Sequence, residues 1–202
     1  MIEVQEFITS LRSRLRDEAV EKNYSDNELI DFINNAYFKL QIALKLFNDE
    51  AVFDLALFSQ KKQKLLLPPM AVTLNACFYN DRPVRIVSYE FFIKNKHEEL
   101  TLSLNNQEIL LSPKKDKGFL KINYSYLKRV ANIEDYVEIK PYAFNAIIFY
   151  AMFLAFQKEP RVDSLQKSQY YLNLYEEEVK EAKNIMQAML STKDLCTEYQ
   201  YV

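Results

Sequence analysis

The sequence has one glycine, Gly118, and one histidine, His97. Phosphate-binding loops and dinucleotide-binding turns need two or three glycines, because a side chain would keep the backbone N–H groups away from the phosphate. Both motifs are therefore excluded. A serine or cysteine nucleophile would have to use His97, which stands among charged residues in KNKHEEL and is expected to lie in a solvated turn. The sequence accordingly predicts no enzymatic activity, no cofactor and no metal site.

Cysteine and net charge are also scarce. Cys77 and Cys196 show no metal-type spacing, so we expect free thiols in a reducing compartment. The formal net charge of −2 provides no general attraction to nucleic acid or to anionic lipid. The first residues are acidic and have no apolar run, so we do not expect a signal peptide. With 202 residues, 49% of them apolar, the chain is expected to be globular and long enough to bury a core without disulfides.

Two amphipathic helices are predicted at the start of the chain. The first covers about Val4 to Ala19, with one apolar stripe and a charged remaining surface that includes Arg12 and Asp17. The second begins in YSDNEL, where Ser25 is expected to cap the N–H of Glu28 while the Glu28 carboxylate reaches back to the N–H of Ser25. Such a cap fixes a helix boundary but does not specify a fold.

The middle of the chain has the short apolar runs and period-two alternation of β-strands. Asn80-Asp81 is predicted to form a tight turn, YEFFIKN a short helix, and Gly118 a hairpin turn that joins QEILLS to FLKINYSYL. All the strands are expected to be antiparallel. The predicted strands are Ala51–Phe58, Lys64–Leu67, Ala71–Tyr79, Arg82–Tyr89, ELTLSL, QEILLS and FLKINYSYL.

Helices are predicted again after Pro141. AIIFYAMFLAF (Ala146–Phe156) is apolar all round and too short to cross a bilayer, which indicates a buried core helix. A last helix is predicted from about Ser164 to Leu190, with a heptad-like apolar seam. The residues beyond Leu190 lose this period and are expected to form an extended tail.

These elements predict an α+β fold that is mainly α: an antiparallel four-helix core with an antiparallel β insertion between helices two and three. Residues 1–50 and 128–190 would form the helical core, residues 51–127 the β-rich insertion, and residues 191–202 the C-terminal tail.

In this order the motifs resemble the head–tail adaptor (connector) proteins of tailed bacteriophages, the group that includes the tail tubular protein A type and the adaptor of short-tailed phages. The resemblance covers most of the chain. No single motif is specific to this group, and the resemblance depends on the order in which the motifs follow one another along the chain. The matching stretches are YSDNEL (Tyr24–Leu29), INNAY (Ile33–Tyr37), LLLPP (Leu65–Pro69), CFYNDRPVRIVSYEFF, ILLSPKKDKGFLKINYSYL and DYVEIKPYAFNAIIFYAMFLAF.

The resemblance implies a non-enzymatic structural protein of the virion. Such a subunit would be a monomer in isolation and would assemble, typically twelve to a ring, under the portal protein, where it extends the DNA channel and offers a platform for tail proteins. It would reside at the head–tail interface, and in the host cytoplasm before assembly. The resemblance implies no membrane and no sequence-specific nucleic acid as partners. Portal docking would fall to apolar residues of the tail: Leu195, Tyr199, Tyr201 and Val202.

Two lysine-rich turns are further candidates for contact with DNA in a channel or with an acidic partner, although charged turns are often simply solvated. They contain Lys61, Lys62 and Lys64, and Lys114, Lys115 and Lys117. A small helical DNA-binding or regulatory protein of a phage or prophage remains the alternative function. Asp26 and Glu28 at the start of helix two weigh against a recognition helix, because they would repel phosphates.

Overall fold

The computed structural model describes residues 1–17, 23–61, 63–158 and 162–195, the side chains of the last range from 163 to 189. Six α-helices and a 3₁₀ turn, Pro141–Ala143, lie in these ranges. The helices are α1 (Val4–Leu15), α2 (Asp26–Leu44), α3 (Leu55–Gln60), α4 (Tyr89–Lys94), α5 (Phe144–Lys158) and α6 (Val162–Leu195). The strands are β1 (Ile2–Glu3), β2 (Asn48–Asp54), β3 (Ala71–Tyr79), β4 (Arg82–Pro83), β5 (Arg85–Ile86), β6 (Thr101–Asn105), β7 (Glu108–Ser112), β8 (Phe119–Tyr126) and β9 (Tyr136–Val137).

The chain forms two compact units. Met1–Leu44 and the described residues from Arg129 onwards make up the first, which we call the helical unit, and Lys45–Lys128 make up the second, the β-rich unit. The helical unit contains α1, α2, α5 and α6, together with a two-stranded antiparallel sheet of β1 and β9. The β-rich unit contains a four-stranded sheet in the order β2-β8-β3-β4 and a three-stranded sheet in the order β5-β6-β7.

The predicted mainly helical fold, a four-helix core with one antiparallel β insertion, is wrong. The described residues form six helices and nine strands in three sheets, with 49% helix and 24% strand, which is a mixed α/β fold. One sheet pairs β1 with β9, so strands occur beside the long helices too. The β5–β6 ladder is parallel, whereas only antiparallel pairs were expected. Helix α6 includes residues 191–195, so the extended tail predicted from residue 191 does not begin there.

Helices α1 and α2 are joined through a buried ion-pair network. Arg12, predicted to be on the charged surface, is 8% exposed, and its guanidinium donates to the Asp17 carboxylate at 2.7 Å and to the Asp26 carboxylate at 2.5 Å. The Asp17 carboxylate also accepts from the backbone N–H of Asn23 at 2.6 Å and of Tyr24 at 3.3 Å. Helix α1 therefore ends at Leu15, earlier than predicted, because Arg16 turns into the left-handed region at φ 55° and returns the chain toward α2.

The start of α2 is as the capping motif predicts. Ser25 Oγ accepts from the N–H of Glu28 at 3.3 Å. The Glu28 carboxylate accepts from Lys158 Nζ of α5. This hydrogen bond, and to a lesser degree the charge of Lys158 and the N–H of Ser25, lowers the pKa of Glu28 against a smaller desolvation effect. The capping residue Glu28 thus also ties α2 to α5.

The INNAY stretch of α2 holds the segment that leads to α5. The buried Asn34 side chain donates to the Val130 carbonyl at 2.8 Å and accepts from the Val130 N–H at 3.0 Å. The Tyr37 hydroxyl accepts from the N–H of Glu138 at 3.2 Å. A buried backbone without a strand partner is costly, so the two side chains replace the missing ladder bonds.

Helix α5 is the buried core helix that its apolar run predicts. Ala146, Ile147, Ala151 and Met152 are fully buried. Its first residue, Phe144, stacks on Phe7 of α1 with ring centroids 4.5 Å apart. The helix packs chiefly on α2 and α6. Of the predicted seam of α6, Tyr175, Val179 and Ala182 are buried, whereas Met189 is 54% exposed.

The β-rich unit has its own core of Leu55, Leu67, Cys77, Val84, Leu102, Ile109, Leu120, Ile122 and Tyr124. Strand β8 is central in the larger sheet and pairs with both β2 and β3. The predicted hairpin between QEILLS and FLKINYSYL is wrong, because β7 pairs with β6 and belongs to the smaller sheet. Gly118, at φ +94°, lies beside the Asn80-Asp81 turn: a β-carbon here would be 2.7 Å from Asn80 Oδ1.

Candidate functional site

The β-rich unit contains a cleft of about 370 Å³ that both lysine-rich turns border. Its floor is strand β7, one wall is α3, and the other wall is the turn that follows β7. Three of the six predicted lysines line it: Lys64, Lys114 and Lys115. The remaining lining residues are Leu55, Phe58, Ser59, Gln63, Leu65, Glu108, Ile109, Leu110, Leu111 and Asp116.

Helix α3 exists because of a local cap. Ala51–Phe58 was predicted to be one strand, but Asp54 ends β2, and its Oδ1 accepts from the N–H of Ala56 at 2.9 Å. Aspartate is a favoured N-cap, and this bond starts a helix at Leu55. The apolar face of the helix then supplies Leu55 to the core and Phe58 to the cleft wall. The strand prediction for residues 55–58 is therefore wrong.

The segment after α3 covers only part of the β7 edge. The Ile109 N–H donates to the Leu65 carbonyl, and the Leu67 N–H donates to the Gln107 carbonyl, both at 2.8 Å. Gln63 does not extend this pairing, since its N–H donates to the Phe58 carbonyl of α3 at 3.1 Å. The predicted strand Lys64–Leu67 is thus reduced to a single bridge between Leu66 and Glu108. The cleft begins where this short pairing stops.

Charged groups stand around an apolar interior. Lys64 Nζ lies 2.9 Å from the Glu108 carboxylate and Lys114 Nζ 3.7 Å from the Asp116 carboxylate. Ser59 Oγ donates to Asp116 at 3.2 Å, which bridges the two walls. Lys115 Nζ lies 6.0 Å from the centre of the Tyr79 ring. Three lysines and two carboxylates leave an excess of positive charge in a chain whose net charge is negative.

The other predicted site residues do not line the cleft. Lys61 is exposed at the end of α3, and Lys117 is exposed, with its carbonyl accepting from the Tyr79 hydroxyl at 2.9 Å. Leu195 is the last residue of α6, and its side chain lies outside the described set. Lys62, Tyr199, Tyr201 and Val202 lie outside the described residues.

Within the described ranges, no group of three or more histidine, cysteine, aspartate or glutamate residues is arranged to hold a metal ion. His97 packs against the ring of Phe92, with centroids 5.2 Å apart, and its Nε2 is 3.0 Å from the Phe92 carbonyl oxygen. Burial raises the pKa of the Cys77 thiol to about 12. Burial is also the main cause that raises the pKa of Tyr175 to about 12. Both groups belong to packed cores, and neither lines the cleft of the β-rich unit.

Exposed apolar side chains are the second feature of the β-rich unit. Ten side chains share this property: Val52, Leu57, Leu66, Met70, Val72, Ile86, Tyr89, Phe91, Ile93 and Phe119. Sequence reasoning did not single out any of them, nor Phe58 and Leu111 of the cleft. One wall of the cleft could have been predicted from the sequence, because Asp54 precedes an apolar run and this is the pattern of a capped helix.

No model of a known protein family matches this sequence, and no curated protein matches it significantly. Among the described helices, none combines the length and the apolar character that crossing a membrane requires.

Proposed function

We propose that this chain is a structural, non-enzymatic subunit of a tailed-bacteriophage virion, a head–tail adaptor that forms a ring under the portal protein, extends the DNA channel and supports the tail. The ordered motifs from YSDNEL to the apolar helix motivate this proposal. The structural observation that supports it is the exposed apolar surface of the β-rich unit. The motifs also have physical roles that belong together, since Glu28, Asn34 and Tyr37 all hold α2 to later parts of the helical unit.

The exposed apolar side chains are more concentrated in the β-rich unit than in the helical unit. Of the sixteen large apolar side chains exposed among the described residues, ten belong to Lys45–Lys128. Single exposed apolar residues are common, but a unit that carries many of them is typical of a surface that another protein covers. A ring subunit needs such surfaces toward its neighbours.

One face of the larger sheet shows what such a surface consists of. Val52, Lys121 and Phe78 are directly paired across β2, β8 and β3 and so share a face of the sheet. Val52 is 58% exposed and Phe119, at the end of β8, is 56% exposed. The Lys121–Glu50 ion pair, at 2.7 Å, lies beside them. Apolar groups bordered by charged pairs are characteristic of protein–protein interfaces.

The test is assembly with the portal protein that the same phage encodes. The purified chain should be monomeric alone, bind the portal ring in a pull-down and add a ring of density beneath it in electron microscopy. The double variant Val52→Glu with Phe119→Glu should weaken this assembly, because it places charges at an apolar contact. Leu165→Glu, at an exposed position of α6, is the matched control for added charge.

Failure of the wild-type chain to bind that portal ring would remove the proposal. A salt-sensitive, sequence-specific gel shift would instead support the alternative of a DNA-binding regulator. The surroundings of α2 do not favour that alternative, since Asp26 and Glu28 at its start are engaged by Arg12 and Lys158.

A further inference from the structure

The edge of the smaller sheet is only partly covered. In β7, Ile109 turns its N–H away from β6 and toward Leu65. Backbone groups alternate between the two sides of a strand, so Leu111, two residues on, presents its N–H and carbonyl to the same side. No described residue pairs with the backbone of Leu111 on that side. The free part of the edge lies at the floor of the cleft, which Ile109, Leu110 and Leu111 line.

We propose that this cleft binds an extended peptide segment of a partner protein, which adds as a strand to the free edge of β7. The segment would alternate apolar and acidic side chains. The bound segment would lie along β7 beyond Leu65–Leu67, at the place where the preceding residue Gln63 is bonded to α3 instead of to β7. The proposal goes beyond the adaptor function and does not depend on it.

The backbone supplies the affinity of such a site. A strand that joins a sheet edge gains main-chain hydrogen bonds in register, whatever its side chains are. An edge strand left open invites pairing, and proteins usually cover or charge such edges. Here the covering segment Leu65–Leu67 stops short of Leu111, and α3 and the turn after β7 leave a gap of about 370 Å³ between them. That volume lies within the range of ligand-binding clefts.

The side chains of the cleft supply the selectivity. Phe58, Leu65 and Leu111 offer apolar contacts to every second side chain of a bound strand. Lys114 and Lys115 stand at the rim, and the Lys114 side chain is 84% exposed. Lys114 has a carboxylate only at 3.7 Å, in an exposed pair that an incoming acidic group can replace at little cost. An acidic segment therefore fits better than a basic one.

The test uses a short synthetic peptide of alternating valine and glutamate, blocked at both ends and fluorescently labelled, with binding measured by anisotropy. We expect binding to the full chain and none for the valine–lysine peptide. Lys114→Glu with Lys115→Glu should weaken binding about tenfold, which is about 1.4 kcal/mol. Lys94→Glu with Lys96→Glu, at exposed positions of the same unit, is the matched control and should leave the affinity unchanged.

Two further peptides test strand addition itself, one N-methylated at the valines and one at the glutamates. Because alternate N–H groups face opposite edges of a strand, one of these two should fail to bind and the other should bind like the parent peptide. The parent peptide should also slow hydrogen exchange of the Leu111 amide. The proposal is overturned if the parent peptide does not bind, if both methylated peptides bind like it, or if Leu111 gains no protection.

Discussion

The two units of this chain differ in how completely their buried polar groups are hydrogen-bonded and in how many apolar side chains they bury. In the helical unit, buried polar side chains are engaged: Arg12 by two aspartates, Asn34 by the Val130 backbone, and the Tyr24 hydroxyl by the Ala155 carbonyl at 3.1 Å. In the β-rich unit, two buried polar atoms of the described residues, Ser103 Oγ and Asn123 Oδ1, have no hydrogen-bond partner.

Apolar burial shows the same contrast. Of the thirty-four buried apolar side chains in the described ranges, twenty-five belong to the helical unit and nine to the β-rich unit. The β-rich unit also carries most of the exposed ones. We therefore expect the helical unit to be the more stable part by itself, whereas the β-rich unit exposes more apolar side chains and an open strand edge.

The largest expected effect concerns the chemical access to Cys77. The shift of its pKa from 9.0 to about 12 lowers the thiolate fraction at mildly alkaline pH about a thousandfold, and the thiolate is the reactive form. In the Cys196→Ser variant, modification of Cys77 by a thiol reagent should therefore be at least about a thousandfold slower in the folded than in the unfolded chain.

The denaturant dependence of this labelling tests the comparison of the units. Cys77 should become reactive at a lower urea concentration than the one at which the helix signal in circular dichroism is lost, because the β-rich core is smaller. Coincident transitions would show that the two units unfold together and would contradict the difference in stability.

The next largest effect is expected for Asp17→Ala. Asp17 is buried, and its loss removes one of the two carboxylates that pair with the Arg12 guanidinium and the acceptor of two backbone N–H groups. Breaking a buried pair from one side costs about 3–5 kcal/mol, which urea denaturation would measure as a loss in the free energy of unfolding. The control is Asp31→Ala, whose pair with Arg129 is exposed and 3.8 Å long, and which should cost less than about 1 kcal/mol. Equal losses in the two variants would contradict this account of the network.

The neighbouring asparagines of INNAY give a smaller and closely matched comparison. Asn34→Ala leaves the N–H and the carbonyl of Val130 unpaired in a buried place and should cost about 1–3 kcal/mol. Asn35 is exposed and bonds only within α2, to the Asp31 carbonyl. Asn35→Ala should change the free energy of unfolding by no more than about 0.5 kcal/mol. A loss at position 35 as large as that at position 34 would refute the role given to the hydrogen bonds between Asn34 and the Val130 backbone.

The smallest effect is a pH dependence at the start of α2. Because the folded-state pKa of Glu28 lies below its ordinary value of 4.5, the unfolded chain binds more protons in this range. The contribution of Glu28 to stability is therefore present above pH 4.5 and is lost as the pH falls through its folded-state pKa. The difference in urea midpoint between the wild type and Glu28→Gln should shrink on acidification. In the Lys158→Met background this pH-dependent difference should be smaller, because only the N–H of Ser25 still favours the carboxylate. A difference that is constant with pH would disprove the assignment.

Features that depend on a few neighbouring residues were predictable from the sequence. The Ser25 cap, the Asn80-Asp81 turn, the short helix at Tyr89–Lys94 and the buried helix after Pro141 are confirmed. Each depends on residues that lie within about one turn of each other, where capping, turn chemistry and hydrophobic period act directly.

Features that depend on distant residues were not predictable in the same way. Strand β8 finds its partners in β2 and β3 rather than in β7, which precedes it, and β5 pairs in parallel with β6. Arg12 looked like a surface residue, because its partners Asp17 and Asp26 become neighbours only when the chain turns back after α1. For the candidate site, the lysine turns were recognised, but the cleft between them was not, since it depends on where the pairing of Leu65–Leu67 with β7 ends.

The scarcity of glycine affects the unfolded chain as well as the folded one. Gly118 occupies the one described position where the left-handed backbone also leaves no space for a β-carbon, whereas six other residues with positive φ carry side chains: Arg16, Lys45, Met70, Asn80, Asp81 and Asn106. A non-glycine residue in that region costs free energy when the chain folds. It also restricts the backbone of the unfolded chain, which then loses less conformational entropy on folding. In this protein, strain at these positions of the folded state is thus partly offset by a stiffer unfolded state, and a change to glycine at any of the six residues would alter both.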